Sequence, residues 1–333
     1  MNFSHLLFTA AIILSSALNG QNSLPAIIIH GGAGTIERGM LDAETERAVR
    51  GDLQAALDAG YALMRDGGSA LEAVEIAVTL LEDSPFFNAG RGAVMTAEGK
   101  HELDASVMDG STKDAGAVAG VTTIKNPVKA AVAVMHHSPH VMLSGPGAEA
   151  FAREKGLEEV SNAYFTVPRI KKRFTELNKA EGHLPPEEKE FSKFGTVGAV
   201  AIDASGNIAA ATSTGGMMNK RYGRIGDSPL IGAGTYAHDA TCGVSATGHG
   251  EYFIRLGVAK DISDQMEYAG KTLAQSAEHT IHKKLHDLGG TGGIIALDSE
   301  GNHVAVFNTA GMYRGFRNEG ESWTGIYRNE DPR

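Results

Sequence analysis

The chain has 333 residues, 42% hydrophobic and 21% charged, which is the composition of a globular protein with a sizeable core and not of a disordered or fibrous one. Its formal net charge of −10 and the lack of a long basic run exclude the concentrated positive face that nucleic acid requires. A lone cysteine, Cys242, excludes an internal disulfide, and 42 glycines, about one residue in eight against an ordinary ~7%, lie in GG, GAG and GxG clusters that read as tight turns and close backbone approaches.

In chain order, residues 1–20, MNFSHLLFTAAIILSSALNG, carry no acidic or basic residue apart from His5. The apolar run Leu6–Leu14 followed by small residues reads as a secretory signal with cleavage near Gly20, too short to span a membrane. Export to a bacterial periplasm is the expectation. Ala26–His30 is an apolar run entering GGAGT, a buried strand meeting a tight turn. Residues 41–65 place Leu53, Ala56, Leu57, Tyr61 and Leu63 at helical spacing, and 69–82 continue as a second helix. FFNAGRGAVMTAEGKHELDASVMDG reads as a glycine-turned pair of strands, 115–124 as a small-residue strand, and 127–136 and 146–155 as helices. The histidines of MHHSPH (136, 137 and 140) lack carboxylates at ligand spacing and read as helix surface or cap. Residues 166–194 are charged, with two adjacent prolines and an apolar rhythm that fades after Phe174; they read as an exposed linker.

Beyond the linker the sequence echoes itself. GAVAIDASGNIAAATSTGGM (198–217) and GIIALDSEGNHVAVFNTAGM (293–312) align without a gap. Each has the run–turn–run form of a β-hairpin, with strands apolar enough to be covered on both faces. Residues 249–288 between them have a helical pattern. Grouped strands and grouped helices argue for an α+β fold in which sheets stack between helix layers.

The chemistry is not announced by a standard motif. GxSxG, HExxH, a P-loop and CxxC are all missing, and GGAGT and GAGTY do not complete a dinucleotide fingerprint. Attention falls on Gly195-Thr196, where the charged stretch gives way at once to GAVAID. A threonine hydroxyl needs a base to become a nucleophile. At a chain terminus, threonine supplies that base itself, since a free α-amine has a pKa of roughly 7.7–8.0. Within an intact chain the same nitrogen is a non-basic amide. A cut between Gly195 and Thr196 would therefore create the catalyst; the alternative is a threonine that merely opens a strand.

KFGTVGAVAID, ATSTGGMMNKRYGRIGDSPLIGAGTYA and ATGHGE together resemble the plant-type L-asparaginase/isoaspartyl peptidase family of N-terminal-nucleophile hydrolases. IIIHGGAGT, FNAGRGAV, HELDASVMDG and KNPVKAA agree with it, so the resemblance covers nearly the whole chain apart from the leader and the charged linker. It implies a four-layer αββα sandwich with two stacked, mainly antiparallel sheets. It also implies a precursor that divides into an α subunit, 21–195, and a β subunit, 196–333, which remain one domain. Gly195 becomes the last residue of the α chain. Thr196 becomes the nucleophile, Thr214 its contacting threonine, Thr247 and Gly248 the oxyanion hole, and Asn88 a positioning neighbour. Arg224 and Asp227 grip the substrate's α-carboxylate and α-ammonium, beside Gly250. The fit is physically sound, because an arginine fork matches a carboxylate bidentately.

LEDSPFFNAGRG resembles the family's sodium loop, with main-chain carbonyls of Leu81, Glu82, Ser84, Phe87, Ala89 and Arg91 as the matching oxygens. The resemblance further implies hydrolysis of L-asparagine and β-aspartyl dipeptides through an acyl-enzyme, no organic cofactor, and a homodimer of αβ units, (αβ)2. A membrane partner is not expected. Two other readings stay open: a glycosylasparaginase of the same fold, and an uncut, non-catalytic periplasmic binding protein on this scaffold.

Overall fold

The computed structural model describes residues 24–180 and 195–330; the leader at 1–20 and residues 181–194 of the charged stretch lie outside them. Twelve strands fall in two sheets among the described residues. The larger begins with β1 (Ala26–Gly34) and runs in the order β12 (Ser322–Tyr327), β11 (Gly311–Arg317), β1, β5 (Val197–Ile202), β6 (Ile208–Thr214), β2 (Leu103–Asp109), β3 (Ala115–Val121), β4 (Met142–Ser144). The smaller is β10 (His303–Phe307), β9 (Gly292–Asp298), β8 (Cys242–Gly248), β7 (Thr235–Ala237). Every pairing is antiparallel except β3 with β4.

Alternation along β1 shows how the layers are held. Ile27 and Ile29 join the core under α1 (Ala43–Arg65) and α2 (Ala70–Asp83), while Ala26 and Ile28 join the core shared with the smaller sheet. Successive strand side chains point to opposite faces, so a strand apolar at every position must be covered twice. α1 presents Val49, Leu53, Leu57, Tyr61 and Met64 as one buried stripe, after Asp42 caps it by accepting from the Thr45 N–H at 2.7 Å. α2 opens on a reciprocal capping box between Ser69 and Glu72. α3 (Pro127–His137) covers β2 and β3, and α4 (Gly145–Glu154) lies on β3. On the other sheet lie α6 (Gly250–Leu256), α7 (Val258–Ala269) and α8 (Leu273–Glu278). The α+β class is as expected, and both echoed segments are hairpins, β5–β6 and β9–β10.

Two segments differ from the sequence reading. Only the second half of the supposed strand pair after Phe86 is a strand, β2. Residues 86–102 are a loop because their N–H groups bond outside any strand ladder: Arg91 donates to Glu82 O at 2.7 Å, Gly92 to Phe165 O at 3.1 Å and Ala93 to Gly90 O at 3.1 Å. The described part of the expected linker contains a helix, α5 (Pro168–Ala180). Proline suits its first turn, and Ile170, buried with Val94, Met95 and Val167 while Phe174 packs at its edge, supplies the i, i+4 stripe that the surrounding charges obscure.

Candidate active site

The adjacent ends of β5 and β6 build the first part of the site. Val197 pairs with Ser213, so Thr196, one step earlier, faces Thr214. The Thr196 hydroxyl lies 2.9 Å from Thr214 Oγ1, which also accepts from the Gly216 N–H at 3.0 Å. With one lone pair tied to an amide, Thr214 is oriented to exchange a proton with Thr196. The Gly195 carbonyl immediately before it accepts from the Asn88 main-chain N–H at 3.2 Å. Asn88 is fixed by three further bonds: its amide donates to Gly216 O at 2.8 Å, its side-chain oxygen accepts from Val94 N–H at 2.9 Å, and its carbonyl accepts from Gly215 N–H at 3.0 Å. Glycine at 195 is required by space, since a Cβ there would stand 2.4 Å from Gly32 Cα.

A histidine holds the nucleophile candidate from behind. His30 Nδ1 donates to the Thr196 carbonyl at 3.0 Å, and Nε2 takes the Ser245 hydroxyl at 3.0 Å. Burial pushes the imidazole down to about 3, against the Thr196 bond that raises it, so the ring is neutral and this tautomer is the one that satisfies both contacts. From Ser245 the hydroxyl chain continues through Thr212 at 2.7 Å, Thr235 at 2.6 Å and Ser106 at 2.8 Å. Sequence reasoning gave His30 no role, and the long separation from its partners explains why.

Thr196 opens on a cavity of about 240 Å3 lined also by Gly195, Asn88, Gly216, Thr247, Gly248, His249, Thr291 and Thr309. Thr247 Oγ1 accepts from the Ala33 N–H at 3.3 Å, which leaves its proton for the cavity. Gly248, at φ +155°, follows it; a Cβ there would meet Thr291 O at 2.5 Å, so the oxyanion candidates lie against the start of β9.

Arg224, Asp227 and Gly250 come together beside Gly248 and His249. A Cβ on Gly250 would lie 2.7 Å from Asp227 Oδ1 and 2.8 Å from Arg224 Nη2. Among the described residues, Asp227 Oδ2 is buried with no partner. Burial pushes this carboxyl up to about 7, and the nearby Arg224 charge only partly offsets it. A buried oxygen without a donor is a natural receptor for an ammonium. Arg224 itself donates from Nε and Nη2 to the two oxygens of Glu251, each at 3.0 Å, a contact the sequence did not indicate.

Of the expected sodium-loop residues, Leu81, Glu82, Ser84, Phe87 and Ala89 are buried and Arg91 is exposed. Two carbonyls of this loop already accept a donor: Glu82 O from the Arg91 N–H, and Pro85 O, which is not one of the six, from the Arg169 guanidinium at 2.9 and 2.6 Å. An all-oxygen donor set suits a hard cation, and no cluster of three metal-ligating side chains occurs among the described residues.

Residues 23–326 match the family model described as asparaginase. The chain is 50% identical over 311 residues to the isoaspartyl peptidase of Escherichia coli K12, covering 91% of this chain and 96% of that protein. It is 50% identical over 310 residues to the isoaspartyl peptidase of Salmonella typhimurium, covering 91% and 98%. The human isoaspartyl peptidase/L-asparaginase is 41% identical over 304 residues, covering 91% and 96%.

Proposed function

The chain belongs to the asparaginase family and is a hydrolase of its isoaspartyl peptidase and asparaginase type, and from that premise we propose that it activates itself by cutting between Gly195 and Thr196 and then hydrolyses β-aspartyl bonds with the freed threonine. The observation that carries this is the Thr196 hydroxyl 2.9 Å from Thr214 Oγ1, directly after a glycine whose carbonyl is held by the Asn88 N–H.

In the precursor, Thr196 Oγ1 attacks the Gly195 carbonyl while Thr214 relays its proton. The Asn88 N–H stabilises the developing oxyanion. The C–N bond breaks as the nitrogen is protonated, giving an ester that water hydrolyses. A carboxylate remains on Gly195 and a free amine on Thr196. In turnover that amine takes the Oγ1 proton as the oxygen attacks the β-carbonyl of an aspartyl group. Thr247 Oγ1–H and the Gly248 N–H receive the oxyanion, each donor contributing roughly 3–4 kcal/mol to lowering the barrier. The leaving amine departs with a proton from the Thr196 ammonium, and water resolves the acyl-enzyme. Arg224 takes the α-carboxylate and Asp227 the α-ammonium, which meets the unpartnered Oδ2.

The larger reading includes the αββα sandwich, an α chain ending at Gly195, a β chain starting at Thr196, and a dimer of such units. A sodium ion held by carbonyls of Leu81, Glu82, Ser84, Phe87, Ala89 and Arg91 would brace the loop carrying Asn88. The apolar leader makes the enzyme an exported one, with a mature α chain beginning near Gln21. The function is tested with three substrates. β-Aspartyl-leucine and L-asparagine are hydrolysed and N-acetylglucosaminyl-asparagine is not. The reverse preference identifies a glycosylasparaginase, and no turnover by an uncut chain identifies a binding protein.

A further inference from the structure

Arg224 has two edges that can grip a carboxylate, Nε with Nη2 and Nη1 with Nη2. The first is taken by Glu251, whose two oxygens each accept at 3.0 Å. Nη1 points the other way, over Gly226 and toward Gly216: built Cβ atoms there would lie 2.7 and 3.5 Å from it. Gly216 lines the cavity. The edge that Glu251 leaves open, without a partner among the described residues, is thus turned toward Gly216 and the cavity that holds the nucleophile.

Glu251 is well placed to impose this. It lies in the first turn of α6, three residues after Gly248, so its carboxylate is tied through a short backbone path to the oxyanion candidates. His249 Nε2 lies 3.2 Å from its second oxygen, which restricts the carboxylate further. Partial burial pushes the Glu251 carboxyl up, but the bond and charge of Arg224 outweigh it and leave the group below its ordinary range, so it is ionised wherever the pair is needed.

We propose that Glu251 is a positioning residue for substrate recognition: it locks Arg224 by one edge and presents the other to the α-carboxylate of the aspartyl group. Built on the functional reading above, this assigns carboxylate selectivity to a pair, Arg224 with Glu251, and not to the arginine alone. It opposes the view that Glu251 is a competitor which substrate must displace.

Calorimetric binding to the mature αβ protein tests this without turnover. The probes are L-aspartate and L-isoasparagine, which differ only in whether the α-carboxyl group is a carboxylate or a carboxamide. In Glu251→Ala the dissociation constant for L-aspartate rises about fivefold, as expected for loss of a half-exposed bidentate pair, while that for L-isoasparagine changes less than twofold. Glu251→Gln, which keeps one acceptor for the fork, falls between wild type and Glu251→Ala. Tighter or unchanged L-aspartate binding in Glu251→Ala overturns the proposal, as does an equal loss for both probes or a wild type that binds neither. β-Aspartyl-leucine hydrolysis, measured on the same samples, separates the two readings. Lost selectivity in Glu251→Ala without wild-type hydrolysis sinks the function and spares the pair; hydrolysis with selectivity untouched does the reverse.

Discussion

The two echoed hairpins make a natural experiment. Extending their alignment upstream brings Gly290-Thr291 onto Gly195-Thr196, and the strand register sets Thr291 opposite Thr309 as it sets Thr196 opposite Thr214. The turns match bond for bond: Asp203 Oδ1 accepts from Ser205 and Asn207 N–H at 2.9 and 3.1 Å, and Asp298 Oδ1 from Glu300 and Asn302 N–H at 3.0 and 2.9 Å. Thr196 and Thr291 line the same cavity, the first together with Gly195. Their surroundings differ. Thr214 accepts from Thr196 and from an amide, whereas Thr309 spends its proton on the Gly311 carbonyl at 2.9 Å. Gly195 O is held by an N–H from a distant loop, while Gly290 O is held at 3.0 Å by Asn308 of its own hairpin. Thr196 is buried and braced by His30; Thr291 is exposed. A Gly-Thr step before a hairpin is therefore only a strand start until partners from other elements surround it.

The sharpest way to break the comparison is to remove each threonine. Thr196→Ala loses at least about 10⁴-fold in turnover of β-aspartyl-leucine and remains a single chain, as expected when a nucleophile is deleted. Thr291→Ala still divides and keeps kcat/KM within about fivefold. Equal losses would erase the distinction. Exchanging the partners is milder. Thr214→Val removes the relay and slows self-cleavage after Gly195 about 10²- to 10³-fold, whereas Thr309→Val changes it by no more than a few-fold.

Asp227 lies outside both hairpins and tests whether recognition depends on a third element. Asp227→Asn lowers kcat/KM about 10²-fold through lost ammonium binding. It also stabilises the protein. A carboxyl raised from 3.8 to about 7 by burial favours folding fully below pH ~4 and loses that contribution as pH rises through about 7. Thermal melts at pH 8 therefore place the variant a few °C above wild type, a gap that closes by pH 4. L-Aspartate affinity of the wild type weakens as pH falls through about 7.

The smallest effect concerns Ser213 and Asn308, which occupy the same place in the two hairpins. Ser213 donates to Glu82 Oε1 at 2.6 Å, whereas Asn308 bonds within its own neighbourhood, to Gly290 and Gly292. Burial pushes Glu82 up from 4.5 to about 8, so it carries a proton at pH 7. Glu82→Gln should change unfolding free energy at pH 7 by less than about 1 kcal/mol. Wild type loses stability as pH climbs from about 4.5 to about 8, and the variant lacks that slope.

The periodic elements were legible: α1, α2, both hairpins and the burial of β1 all follow from apolar spacing. α5 was hidden because Ile170 and Phe174 sit among charges that dominate a local reading, and the 86–102 loop looked like strand because its apolar run is held by carbonyl contacts that pattern does not record. Thr196 could be argued from chemistry, but Thr214, Arg224, Asp227, Thr247 and Gly248 were named through resemblance. His30 escaped notice because its partners, Thr196 and Ser245, are 166 and 215 residues away. Glu251 escaped because an acid in the first turn of a helix is ordinary until the facing arginine is seen.

Intact mass of the purified wild type and of Thr196→Ala, each paired with its rate on β-aspartyl-leucine, bears most directly on the role given to Thr196. The wild type should give two fragments divided after Gly195 and turn over; the variant should give one uncut mass and no turnover. A wild type that stays whole while fully active, or a variant that still hydrolyses the dipeptide, contradicts it.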